Sequence, residues 1–262
     1  MPALLLPIAL AAYLVGVFLA GLGTFYRSGS IQRVASPVFV LAWCAHLAAA
    51  VHHGWTQGRF PLSSSAEYLL LLGLTVMTLH MLLWFGWRVH AAGLVLPPIA
   101  AATGFGALAL LGTSAARPVA PPRGWFLFHT TVSTLGMATL VVALAMSLLY
   151  LLQDRALKSH RALGFLERLP PLHRCDHIGF QALVLGFVLL SVGIGAGMIV
   201  NEELHDRFWT LGVKQTLPVL AWIVFATVLV ARFRLGIRGR KSAYLTIAGV
   251  TLGLLSAAGM AF

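Results

Sequence analysis

The sequence predicts an all-α integral membrane protein, a polytopic bundle of about eight transmembrane helices, and three observations carry that prediction. Only 10% of the 262 residues are charged while 59% are hydrophobic, with a mean hydropathy of +0.89; a soluble domain needs about a quarter of its residues charged. Apolar runs near 20 residues, long enough to cross a roughly 30 Å hydrocarbon layer, recur at about 3–24, 34–52, 67–87, 91–113, 126–152, 178–200, 215–231 and 243–262. All seven acidic residues, Glu67, Asp154, Glu167, Asp176, Glu202, Glu203 and Asp206, fall in connections or at span ends, where they escape the cost of a charge at the bilayer centre. Nothing is left over for a soluble domain, so residues 1–262 are expected to form one integral membrane domain.

Each span has its own signature. The first opens "MPALLLPIAL", without the basic segment of a secretory signal, and reads as a retained helix. The second holds His46 in "LAWCAHLAAA"; the third opens at Glu67 and holds His80 in its inner half. In the fourth, Pro97 and Pro98 lie inside the apolar run, and their missing backbone donors predict a kink. The fifth begins "WFLFHTT", which puts His129 about one turn below the outer surface. The sixth contains "SVGIGAGM", whose small residues permit close helix packing. The last two flank "GIRGRKS". Between the fifth and sixth, the amphipathic stretch 153–177, with "LKSHRALGFLERLPPL", is expected to lie along the inner membrane surface.

Charge sets the orientation. Of the eighteen lysines and arginines, thirteen fall in the odd-numbered connections, and only Arg59, Arg117, Arg123, Arg207 and Lys214 in the even ones. The positive-inside bias therefore places both termini and the even connections on the outer face of a bacterial-type inner (plasma) membrane. This distribution over short loops explains the pI of about 10.9 without nucleic acid, which is excluded as a partner; membrane lipid is the surrounding medium. Cys44 and Cys175 form no CxxC or CxxCH motif, so the chain neither resembles a thioredoxin nor attaches haem covalently to itself.

Seven of the ten histidines lie in or beside loops, where solvated or interfacial roles account for them. His80 is at the wrong depth to share a ligand with His129 and is expected to be structural. His46 lies about six residues before the outer end of its span, so it shares the outer half with His129. A buried imidazole can donate one hydrogen bond and accept another, and for His46 interhelical glue and metal ligation stand level. His129 differs in its surroundings: Trp125, a Phe-rich turn and the outer face adjoin it, and a flat apolar ligand with polar edges could slide in there from the side. Haem is such a ligand, and histidine is its usual axial donor. Arg123 could pair with a propionate by a bidentate contact, or equally with a lipid phosphate. Taken alone, these residues define an intramembrane histidine, not a haem site.

Several stretches in order resemble the cytochrome c assembly family of membrane proteins, the CcsA/CcmC-like group, over nearly the whole chain. "GRFPLSSSAEYLLLL" is similar to an outer loop running into a Glu-led helix, "GWFLFHTTVSTLGMATLVVALAMSLLYLLQDRALK" to a histidine-led span with a basic tail, and "GFVLLSVGIGAGMI" to the helix entering a tryptophan-rich loop. "AWIVFATVLVARFRLGIRGRKSAYLTIAG" resembles the next two spans. The resemblance implies that His129 is the outer-face haem ligand, with 201–214 in the place of the haem-presenting segment. The chain departs from the family pattern there: "FWTLGVKQT" keeps Trp209, Lys214 and Thr216, while Leu211 and Gly212 replace a Trp-Asp pair. The family's buried histidine falls at Val230, and its second outer histidine has no counterpart before Phe262. These departures, and a histidine like His46, resemble the reduced HemX-like and YpjD-like branch.

Two functions follow as expectations. The first is a haem-handling membrane protein of cytochrome c biogenesis, binding haem b non-covalently and transiently near the outer face. Its iron would be held by His129, with His46 opposite, Trp209 against the ring and Arg123 at its edge; other cytochrome c maturation proteins would be its partners. With no nucleophile–base pair in view, no enzymatic activity is expected. The second is a cofactor-free transporter or regulatory scaffold that has lost its haem ligands. A b-type electron carrier is a weaker third reading, because one histidine pair makes a poor transmembrane relay.

Overall fold

A computed structural model describes residues 4–26, 28–62, 64–113, 124–159, 169–209 and 212–259. The described residues form eight α-helices: α1 (Leu5–Phe25), α2 (Gly29–Gln57), α3 (Ser65–Phe85), α4 (Leu96–Thr113), α5 (Gly124–Ser159), α6 (Leu172–His205), α7 (Val213–Leu235) and α8 (Arg240–Gly259). A short 3-10 helix, His90–Leu94, precedes α4. Seven of these, α1 to α7, are long and apolar enough to cross a membrane. The eighth expected span, 243–262, runs past the described residues.

Helix ends follow local chemistry. Ser28 caps α2, its hydroxyl accepting from the Ile31 amide at 3.3 Å. Ser64 and Glu67 form a capping box at α3, each side chain accepting from the other's backbone amide. Gly58 and Gly236 close α2 and α7 at φ 63°, a left-handed conformation that suits glycine. Pro37 sits inside α2 and cannot donate to the Arg33 carbonyl; the Ser36 hydroxyl donates to that carbonyl instead, at 3.2 Å.

Two expectations are corrected here. Pro97 and Pro98 lie in the first turn of α4, not inside it. Their missing amides are among those a helix start leaves unpaired anyway, so they begin the helix and do not kink it. Residues 153–159 and 172–177 do not lie along the membrane surface but continue α5 and α6. No helix breaker interrupts them, and Asp154 holds the end of α5 through Lys158 at 3.3 Å and through Arg240. At 36 residues α5 is about 54 Å long, more than a bilayer core requires. Residues 160–168 lie outside the described ones.

The helices pack as two four-helix halves. In the first, α1 pairs with α2, α3 with α4, and α1 also meets α4. In the second, α5 lies antiparallel on α6, α7 pairs with α8, and α5 touches α8. The halves meet chiefly where α3 packs on α5, and the Arg174 guanidinium at the start of α6 donates to the Trp87 carbonyl after α3. A continuous apolar core runs through both, from Leu10 and Phe39 to Leu140 and Phe225. On α6 and α7, Phe187 stacks on Trp222 with centroids 5.3 Å apart, and the Trp222 indole donates to Ser191 at 2.8 Å.

Candidate functional site

The α5–α6 pair is a close antiparallel seam. A Cβ added at Gly179 would meet Met146 at 3.1 Å, one at Gly186 would meet Leu140 at 2.7 Å, and one at Gly193 would meet the Ser133 hydroxyl at 2.6 Å. Glycines seven apart on α6 thus receive successive side chains of α5, and the same register carries on to His129, whose ring lies over Gly197. The imidazole is half-buried five residues after the start of α5. Its Nδ1 lies 2.7 Å from the Gly193 carbonyl oxygen and 3.5 Å from the Ser133 hydroxyl.

A carbonyl oxygen can only accept, so the 2.7 Å contact places the proton on Nδ1. In the neutral ring Nε2 then carries the lone pair, the state a metal ligand needs. Trp125 and Phe128, four residues and one residue before His129, pack edge-to-face on each other at 5.9 Å, each nearly half exposed.

His46 is placed differently. It is fully buried, its Nδ1 shares a 3.1 Å hydrogen bond with the Tyr13 hydroxyl of α1, and Gly73 of α3 makes room for its ring. Because α2 continues to Gln57, His46 lies eleven residues, or about 16 Å, below the end of its helix. Counted from the helix ends, His46 lies farther in than His129, which is five residues from its own. The described contacts of the two rings share no residue, so the structure does not bring them together. His80 is fully buried too, edge-to-face with Phe39 at 5.0 Å and Trp84 at 5.5 Å, and neither ring nitrogen has a hydrogen-bond partner among the described residues.

Trp209 is part-buried in the turn after α6, which Asp206 enters at φ 53° and which the Asn201 side chain braces by donating to the Arg207 carbonyl. Arg123 lies outside the described residues. Val230, where the resemblance expects a buried histidine, is 60% exposed on α7.

Sequence reasoning missed two charged clusters. Where α2 ends and α3 begins, Glu67 is 2% exposed and accepts from both arms of Arg59 at 3.0 and 2.9 Å, with His53 at 3.0 Å. The Ser-x-x-Glu start of α3 was a readable signal for this carboxylate's turned-in position. His53 is therefore a hydrogen-bond partner of this carboxylate, not a loosely solvated side chain. Where α7 ends beside the start of α6, Arg232 forks onto Asp176 at 2.8 and 2.6 Å and stacks 4.0 Å from the Phe180 ring centre. Beside this pair a cleft of about 300 Å³, counted with its open mouth, is lined by Tyr150, Cys175, Ser242 and Thr246 among others. It lies at the opposite end of α5 from His129.

What this arrangement defines is a polytopic helical membrane protein that fixes one imidazole near the end of a tightly packed helix pair. The model of the cytochrome c assembly protein family matches residues 2–262, and the chain belongs to that family. It is 29% identical over 252 residues to the cytochrome c biogenesis protein CcsA of Gloeothece citriformis, covering 78% of this chain and 77% of that one. To CcsA of Guillardia theta it is 27% identical over 250 residues, covering 86% and 83%. Among solved structures, the cytochrome c haem lyase CcmF superposes with a TM-score of 0.67 at 18% identity; all of this chain is covered and 47% of that one. The chain thus spans about half the length of the lyase, and the likeness is one of fold. It nevertheless corrects the expectation that the chain is no enzyme. A haem lyase carries the same helical architecture, so the lack of a readable nucleophile–base pair gives no ground for excluding catalysis.

Proposed function

We propose that this protein handles haem in cytochrome c biogenesis, holding it as haem b, non-covalently and transiently, through Nε2 of His129 at the outer face. The observation that carries this reading is the 2.7 Å bond from His129 Nδ1 to the Gly193 carbonyl, which leaves Nε2 as the electron-pair donor. Haem is the substrate here: membership of the cytochrome c assembly family supports a role in its delivery and attachment, with other maturation proteins as partners. Trp125 and Phe128, in the same stretch of α5 as His129, offer half-exposed apolar rings, Trp209 is assigned to the porphyrin ring, and Arg123 to a propionate. The packing of His46 against Tyr13 supports a structural histidine more directly than a second iron ligand.

The chain is proposed to act as one unit over 1–262 in a bacterial-type inner membrane, both termini outward. The basic odd connections support that orientation, and loss of the Trp-Asp pair at Leu211 and Gly212 supports placement in the reduced branch of the family. Reporter fusions test the topology: phosphatase activity is expected at the connection around Arg117 and none around Arg161, and the reverse would move His129 to the inner face. A reduced-minus-oxidised absorption spectrum of the purified protein tests the site. A Soret band in wild type, abolished in His129→Ala, is expected. Intact but colourless wild type, made with ample haem supply, would refute the reading and bring the transporter or scaffold function forward.

A further inference from the structure

The seam that carries His129 is more specific than close packing requires. On α5, Ser133 and His129 are four residues apart and project as neighbours on one face. On α6, Gly193 and Gly197 are also four apart. A Cβ at Gly193 would fall 2.6 Å from the Ser133 hydroxyl, and one at Gly197 would fall 2.8 Å from His129 Cε1 and 3.0 Å from Nδ1. The glycine between them, Gly195, has nothing within 4 Å of its would-be Cβ. Space is therefore reserved where the imidazole lies and left open two residues away.

From this we infer that Gly197, with the Gly193 carbonyl, is a positioning element for His129, setting both the tautomer and the angle of its ring. The inference rests on the haem-ligand reading above. In an α-helix the Gly193 carbonyl already accepts from the amide of residue 197, so the imidazole must approach over Gly197 to reach it. Any side chain at 197 lifts the ring off that carbonyl. A ring turned away from this position loses the 2.7 Å bond. The bond has an electronic consequence as well: a carbonyl accepting from Nδ1–H makes Nε2 a stronger donor to a metal. Free histidine favours the opposite tautomer, with the proton on Nε2, in which only Nδ1 has a lone pair to offer a metal.

Gly197→Ala and Gly195→Ala make a matched pair, each adding one methyl to the same helix. Haem affinity of the purified protein should fall by about 10–100-fold in Gly197→Ala, the usual cost of disturbing a ligand's outer partner, with a shifted Soret band and a raised reduction potential in the haem that remains. Gly195→Ala should match wild type in all three. Identical spectra and potentials for the two variants, in a protein whose haem is lost with His129→Ala, would overturn the inference while leaving the haem reading intact. A colourless wild type would instead overturn that reading.

A measurement on wild type without added haem guards against a Gly197→Ala variant that fails to fold. Nitrogen-15 NMR of histidine-labelled protein in lipid, with the His129 signal assigned by difference from His129→Asn, should show the proton on Nδ1. A signal with the proton on Nε2 would overturn the inference without reference to haem.

Discussion

In the α1–α4 half, His46 and His80 are closed off on every side, whereas in the α5–α8 half His129 is half-buried five residues from the start of its helix. The enclosed rings use what their own half offers: a tyrosine hydroxyl for His46, aromatic faces for His80. The half-buried ring is held from behind by a backbone carbonyl, and nothing described pairs with its other nitrogen. An imidazole inside a membrane protein is thus not one kind of residue. Which nitrogen is occupied, and by what, separates a packing histidine from one that can be offered to a ligand.

The comparison is open to attack through its strongest element first. His46→Ala removes a fully buried ring and should cost about 3 kcal/mol of stability, as large-to-small core changes do, seen as earlier thermal unfolding in detergent. The haem band should survive in the protein that stays folded. Its loss there would return His46 to the iron and erase the contrast between the halves.

Next comes the latch that closes the first half where α2 meets α3. Glu67→Gln leaves Arg59 and His53 without their carboxylate. The cost should be about 2 kcal/mol, below the roughly 3–5 kcal/mol of a sealed pair, because each partner keeps 21% of its side chain exposed and can turn to water. Thermal unfolding should fall while His129 keeps its haem affinity; unchanged unfolding would mean that the latch is not what closes this end.

Smaller still is Tyr13→Phe, which removes one interhelical hydrogen bond at about 0.6 kcal/mol on average within membranes. A loss of haem in this variant would tie His46 to the site after all.

Smallest is His80→Phe. Both ring nitrogens lack hydrogen-bond partners among the described residues and the neighbours are aromatic, so an apolar ring of similar shape should be neutral or stabilising by up to about 1 kcal/mol. Marked destabilisation would show that the imidazole has a polar role there.

Much of the architecture was legible in the linear chain. Apolar runs located the helices because crossing hydrocarbon requires about 20 residues without charge. Glu67 marked a helix start, and the glycines of "SVGIGAGM" marked a surface able to approach another closely. The position of His129 near the end of its helix was readable from the same counting. The reach of the helices was less so: α2 runs on to Gln57 and α5 to Ser159 because a helix stops at a breaker or a cap, not where its hydrophobicity fades.

Which way each helix faces was decided only by the tertiary structure. A soluble helix announces its buried side by an apolar stripe, but in lipid both the core-facing and the outward-facing sides are apolar, so the sequence carries little sign of direction. His46 and His129 therefore looked alike on paper, two histidines in the outer halves of their spans. Packing turned one toward Tyr13 and the other onto Gly193 and Gly197. Composition determined that this chain lives in a membrane and roughly where each helix crosses it; the choice of partner for each imidazole, and with it the nitrogen left free, came from contacts between residues 33 and 64 positions apart, which no local pattern encodes.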